Sequence, residues 1–398
     1  MPLSIKEKVA FDLLQKLISA DTTNPPGNEY RGAKVVTDFF RAQKIRYQTL
    51  EKEKGRTNIL GFIGQGRPHL FIACHLDTVP AGDGWKTNPH KAILKNGRVY
   101  GRGAVDDKGP LAGVLLATTE LKKNEKQLKG TLILGALADE ERGNGLGIEY
   151  LIENKKLPPI DFAISPDTGG QMREITIAEK GALFFRITTF GKQGHGSLPQ
   201  SGINAIDAMA MLLIQLKQIT LKQLPHPLLS PATINIGKIS GGEAPNMIPA
   251  KCNVEVDIRF LPSQTPQGIV KELNANLKKV YLDKKPIKFK IEIIKQFTPT
   301  KTDPKNLIVT AIQFATHKIL NKTAKPIGMS GMTIAKSLRD AGIPTIGFSC
   351  GDMRQCHVAN ENIALKEIVK FAEVLEIGVK EIFNINEVKT SKPSAEAG

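Results

Sequence analysis

Residues 69–77 read His69-Leu70-Phe71-Ile72-Ala73-Cys74-His75-Leu76-Asp77, an apolar strand that ends in a histidine and an aspartate. Two more apolar runs of strand length follow, at 131–137 (TLILGAL) and 162–165. Segments 30–43, 109–122 and 145–154 have helical texture. Strands alternating with helices predict an α/β layer on a largely parallel sheet. Open sheets of this kind gather ligands beyond the carboxyl ends of their strands, which is where His75 emerges.

The texture changes near Lys180. A strand at 183–190 is followed by a helix at 204–218, strands at 232–239 and 251–260, a helix at 265–280 and a strand at 287–294. Two helices among four strands predict an α+β insert of ferredoxin-like type. After Pro299 the α/β texture returns, with helices at 305–317 and 363–379 and a strand at 345–349. The expected organisation is one α/β domain, residues 1–180 and 297–398, interrupted by a smaller domain at 181–296. The tail from Asn386 is polar and is expected to fray.

Composition narrows the function. At about 150 residues per domain, 398 residues make two to three domains. Apolar residues are 41% and charged residues 24%, which excludes a disordered, collagenous or disulfide-scaffold chain. Lys and Arg number 55 against 39 Asp and Glu, a net charge of +16. That balance raises nucleic acid, membrane surfaces and acidic small molecules as partners. The lysines come in scattered pairs such as Lys122–Lys123 and Lys284–Lys285, and only 6% of residues are aromatic. This reads as a soluble Lys-rich surface, with no nucleic acid partner expected. No run of about 18 apolar residues is present, so no membrane partner is expected either. The N-terminal MPLSIKEKVAFDLLQKL lacks a signal-peptide core, and Ile5, Val9, Leu13, Leu17 and Ile18 instead follow helical spacing. Cys74, Cys252, Cys350 and Cys356 form no CxxC, which fits reduced thiols and a cytoplasmic location.

Five short segments carry groups suited to chemistry. In His75-Leu76-Asp77, residues two apart on an extended chain point the same way. Asp77 is therefore expected to accept a hydrogen bond from one imidazole nitrogen while the other binds a metal. Gly101-Arg102-Gly103-Ala104-Val105-Asp106-Asp107-Lys108-Gly109 holds adjacent acids on a glycine-permitted bend before a helix, and contains no GxxxxGK[ST] phosphate loop. Ala138-Asp139-Glu140-Glu141 places three acids directly after a buried strand, a costly arrangement unless cations pair with them. Ser165-Pro166-Asp167 follows another apolar strand, and His357 follows PTIGFS. Alone, the His75, Asp167 and His357 segments read as turns or loops, and the two acidic segments also admit that reading. Together they deliver His, Asp, Glu, Asp and His to one sheet edge, a donor set suited to zinc or a similar divalent ion. Five ligands exceed one tetrahedral site and fit two ions about 3.5–4 Å apart that share a carboxylate. One acid, Glu140 or Asp139, then remains to move protons.

The motifs HLDTVPAGDGW, VYGRGAVDDKGP, ADEE, GHGSLPQSGINAI and NMIPAKCNVEVDIRFLP, with the late His357, resemble the dinuclear zinc exopeptidase and deacylase family. That family includes acetylornithine deacetylase, succinyl-diaminopimelate desuccinylase, aminoacylase, glutamate carboxypeptidases and zinc dipeptidases. The resemblance spans residues 21–377. It implies a zinc-exopeptidase-like catalytic domain, with the insert as a lid or dimerisation domain, a homodimer, and two Zn2+ per chain, Co2+ or Mn2+ being alternatives. It also implies that His75 and Asp167 hold one zinc, Glu141 and His357 the other, and Asp106 bridges them. Asp77 resembles the acid behind the first histidine, and Glu140 the general base acting on a bridging water. A cis peptide between Asp106 and Asp107 is implied as well. In the insert, His195 resembles an oxyanion-stabilising histidine that reaches across a dimer. Asn246 and Arg259 match substrate-holding residues, Arg259 as partner for a carboxylate.

Three departures bear on substrate. Asp106-Asp107-Lys108-Gly109 stands where Asp-Met-Lys-Gly is frequent. Asp167 stands where carboxypeptidases and aminoacylases have Glu and dipeptidases have Asp. Ser330-Gly331-Met332-Thr333-Ile334-Ala335 replaces the usual Ser-Gly-Gly-Thr-Asp-Ala. The expected activity is hydrolysis of an amide bond in a small substrate, a dipeptide first and an N-acyl amino acid as the alternative. Two other readings compete: a serine hydrolase on Gly347-Phe348-Ser349-Cys350-Gly351 with Asp352 and His357, and a scaffold with a dead site.

Overall fold

Strand His69–His75 is the centre from which the main sheet grows. It pairs in parallel with Thr131–Leu137 on one side and Phe162–Ser165 on the other. Phe162–Ser165 pairs in parallel with Thr345–Gly347. Their side chains are buried almost throughout, so they read in sequence as unbroken apolar runs. Antiparallel strands close both sides. Arg46–Glu51 and Thr57–Gly64 extend the sheet beyond Thr131–Leu137, and Glu174–Glu179 meets Thr345–Gly347 at its other side. The four central strands are thus parallel to one another.

The computed structural model describes residues 2–384, so the tail expectation from Asn386 lies outside the described residues. The chain divides into two compact units. One comprises residues up to Ile177, then Lys301–Ile327 and the described chain from Met332; the other comprises Ala178–Thr300 and Gly328–Gly331.

In the first unit, helix Ile5–Ser19 opens on a capping box in which Ser4 and Glu7 exchange hydrogen bonds. Its buried face starts at Ala10 and continues through Leu13, Leu14, Leu17 and Ile18, whereas Ile5 and Val9 of the sequence stripe are exposed. Helix Lys108–Lys123 is buried along most of its length. It passes close to helix Leu365–Asn384 at Gly113, where a Cβ would lie 2.8 Å from Phe371 Cδ1.

The second unit runs strand Gly181–Phe190, helix Ala205–Gln218, strands Thr233–Gly241 and Lys251–Phe260, helix Pro266–Leu277 and strand Lys288–Phe297. Its sheet order is Thr233–Gly241, Lys251–Phe260, Gly181–Phe190, Lys288–Phe297, with every pair antiparallel. This is a ferredoxin-like βαββαβ arrangement. Leu183, Phe185, Ile187, Val254 and Ile258 face Met209, Leu212 and Leu273 of its helices and form a separate core. Asn204 caps the first helix through Ile206 N and Asp207 N, and Thr265 caps the second with proline at its first turn. No helix among the described residues is long and apolar enough to cross a membrane.

Candidate metal centre

The four central strands end beside one another, and three of them deliver acidic or imidazole groups at their last residue or within four residues of it. His75 is the final residue of its strand. Glu140 and Glu141 open a short turn of 3-10 helix after Thr131–Leu137. Asp167 lies two residues beyond Phe162–Ser165. His357 comes from the long loop after Thr345–Gly347, and Asp106 sits just before helix Lys108–Lys123, on a cis peptide bond to Asp107. Two groups of donor atoms result. His75, Asp106 and Asp167 form one and Asp106, Glu141 and His357 the other, each with its donors within 4.8 Å of one another.

Asp106 belongs to both groups and turns one oxygen to each. Its Oδ1 lies 2.9 Å from His75 Nε2, and its Oδ2 lies 3.1 Å from His357 Nε2. His357 Nε2 also lies 3.3 Å from Glu141 Oε2. Charge crowding shifts the proton affinities of the cluster. Burial opposes the Asp106 charge, but the two imidazoles outweigh it and hold its carboxyl below the usual range. Burial pushes the His75 imidazole down, yet Asp106 and Asp77 raise it well above its ordinary value. Hydrogen bonds to Asp106 and Glu141 push His357 up to about 10. Glu140 is held well above the usual carboxylate range by burial and by the charges of Asp167, Glu141 and Asp106. Four acids in so small a space call for positive charge, and a shared carboxylate flanked by His/Asp and Glu/His suits a pair of divalent ions.

The surroundings fix these groups in place. His75 Nδ1 lies 3.0 Å from the Asp77 carbonyl and 3.6 Å from its carboxylate, so the main chain is the nearer partner. The Asp77 carboxylate accepts hydrogen bonds from Glu140 N at 3.1 Å, Glu141 N at 3.2 Å and Asn24 Nδ2 at 2.8 Å. It therefore sets the two glutamates as well as facing the histidine. Asp139, in a left-handed conformation, is gripped by Arg56 Nη2 at 2.9 Å and Asn24 Nδ2 at 3.2 Å. Arg56 is in turn held by both oxygens of buried Glu29, at 2.6 and 2.7 Å. Asp139 is thus an anchor for the turn, which leaves Glu140 as the spare acid. Sequence reading missed Asn24, Glu29 and Arg56. Their partners are remote in sequence, and the Asn24-Pro25-Pro26 turn, cis at both prolines, was the only local signal.

In the second unit, His195 pairs with Met247 across two short strands, and Gly196 N donates to Asn246 O at 2.8 Å. His195 and Asn246 are thereby brought together, both exposed. His195 Nδ1 accepts from Ser197 N at 3.2 Å, which puts the proton of the neutral ring on Nε2. Arg259 is engaged with Asp257, Nε lying 2.9 Å from Oδ1 and Nη2 3.0 Å from Oδ2, and its guanidinium stacks over Phe184 at 5.6 Å. Its fork is already occupied by an intramolecular carboxylate.

Ser349 does not form a nucleophile elbow. Its side chain is buried, Oγ donates to the Cys350 carbonyl at 3.1 Å, and no α-helix follows until Leu365.

The order of these elements and their motifs is that of one known group. A family model described as peptidase family M20/M25/M40 matches residues 71–380. The chain belongs to peptidase family M20/M25/M40. An uncharacterized metallohydrolase of Methanocaldococcus jannaschii is 34% identical over 403 residues, covering 92% of this chain and 97% of that protein. An acetylornithine deacetylase of Myxococcus xanthus is 28% identical, covering 91% and 94%. A tripeptidase structure from Staphylococcus aureus is similar with a TM-score of 0.77 at 21% identity, covering 94% of this chain and 98% of that one, which speaks for the fold. Membership in M20/M25/M40 agrees with the resemblance read from the motifs and makes the chain a metallohydrolase of amide C–N bonds.

Proposed function

We propose that the chain hydrolyses a dipeptide with two zinc ions, His75 and Asp167 holding one, Glu141 and His357 the other, and Asp106 both. The observation that carries this reading is the pair of donor groups sharing Asp106. Two such ions supply Lewis acidity and lower the pKa of a water toward about 7. Glu140 takes the proton of the attacking water and hands it to the leaving amine. Its position next to both donor groups, fixed by the Asp77 carboxylate, suits it to the task. Asp77 orients His75. His195, through Nε2–H, fits the family role of oxyanion donor and Asn246 that of substrate holder; Arg259 takes the same role by exchanging the Asp257 carboxylate for that of the substrate. The family pattern also supports a homodimer, and reduced cysteines support a cytoplasmic site of action.

Asp167 in place of Glu supports the dipeptide. The acetylornithine deacetylase relative favours a second reading, an N-acyl amino acid deacylase with the same chemistry. The deciding experiment measures amine release from a mixed panel of free dipeptides and N-acetyl or N-succinyl amino acids with zinc present. Faster release from dipeptides upholds the first reading. Faster release from N-acyl amino acids replaces it with the second and leaves the roles of the side chains unchanged.

A further inference from the structure

Behind Asp106 lies a buried ion pair outside the donor groups. Glu361 and Arg102 are both nearly inaccessible, at 0% and 2% exposure. Glu361 Oε1 accepts from Val105 N at 2.7 Å and Asp106 N at 3.1 Å; Oε2 accepts from Gly103 N at 3.0 Å and Arg102 Nη1 at 2.8 Å. One carboxylate therefore holds three main-chain donors of the turn that presents Asp106. The guanidinium reaches outward. It donates to Val358 O at 3.3 Å, the residue after His357, and to Ala81 O at 3.0 Å. His357 itself has positive φ and its side chain is 53% exposed; besides Arg102, its loop is tied by Asn360, which accepts from Lys86 N at 2.8 Å and donates to Gly84 O at 3.1 Å.

We propose that Glu361 and Arg102 are positioning residues: they clamp the Asp106 turn to the His357 loop and so set the spacing of the Asp106–Glu141–His357 donor group. This rests on the two-zinc reading above. Neither residue touches the reacting atoms. Through Asp106 the clamp touches both donor groups, but through the His357 loop it reaches the Asp106–Glu141–His357 group alone, so that group depends on it more. Glu361→Gln keeps the volume of the side chain but turns one acceptor into a donor, facing N–H groups that need an acceptor.

The test is calorimetric titration of the chelator-stripped full chain with zinc chloride, with a thermal melt alongside. Wild type is expected to take up two equivalents. Glu361→Gln is expected to keep one and bind the other at least tenfold more weakly, the range found when groups supporting metal ligands are removed. Ile312→Ala, a cut in the buried core of helix Leu307–Leu320, is the control for a merely structural effect. It should lower the melting temperature and leave both equivalents intact. Should Glu361→Gln not fold, Arg102→Lys, which keeps the charge and loses the fork, takes its place with the same readouts. Two equivalents of wild-type affinity in the clamp variant, or equal weakening in Ile312→Ala, overturns the clamp alone. A wild-type chain that takes up no zinc overturns the two-zinc reading and the clamp with it.

Discussion

At the scale of the residue, Glu140 is the sharpest case. It stands in a turn beside a carboxylate-rich cluster, belongs to neither donor group, and is held by Asp77 through its main chain. Glu140→Gln should therefore lower kcat by about 10²–10⁴-fold, the range for loss of a positioned general base. Metal content measured by elemental analysis should stay at the wild-type value. Retained turnover would remove Glu140 from the role. Four of the five donor residues were legible in the sequence because each stands on or just beyond an apolar strand, or between glycines before a helix, where local patterning marks it; His357, in a long loop, was legible only from the order of the motifs. Arg102, Glu361, Arg56 and Glu29 were not legible. Each is an ordinary charge in its own neighbourhood, and only the fold brings Arg102 to Glu361, 259 positions away.

At the scale of the element, the turn after strand Thr131–Leu137 depends on its neighbours more than on its own residues. Asp139 and Glu29 are two buried carboxylates sharing one guanidinium, that of Arg56. Arg56→Met keeps the packing of the side chain and strands both charges. Removing one partner of a buried pair costs about 3–5 kcal/mol. Urea denaturation of Arg56→Met should show a loss of that order, and the double variant Arg56→Met/Glu29→Gln should recover part of it. Equal stability of single variant and wild type would mean that the turn stands without the network. The core strands were read from sequence with nearly their observed limits. The hairpin Arg46–Glu51/Thr57–Gly64 was not: its first strand is mostly exposed and rich in polar residues, and Gly61 and Gly64 interrupt the second. Helix ends moved by a few residues, as at Ile148–Glu153, where Gly147 rather than a polar side chain stands at the N-cap.

At the scale of the molecule, the insert leaves and re-enters the first unit at neighbouring points. Thr302 N donates to Ile177 O at 2.8 Å, so the two ends of the first unit at this junction are already bonded to each other. The donor groups, the Asp77 contacts and the Arg56 and Arg102 networks all lie within that unit, whereas His195, Asn246 and Arg259 lie in the other, with a core of its own. Replacing residues 178–300 by a short Gly/Ser linker closes a gap that the fold has already nearly closed, at small entropic cost. The shortened chain should melt cooperatively and take up zinc with the wild-type stoichiometry, while amine release from any substrate of the full chain falls by at least 10²-fold. Loss of zinc binding would mean that the donor groups need the second unit for their geometry. Full activity would mean that His195, Asn246 and Arg259 take no part in the reaction, and that the chemistry resides wholly at the ends of the four central strands.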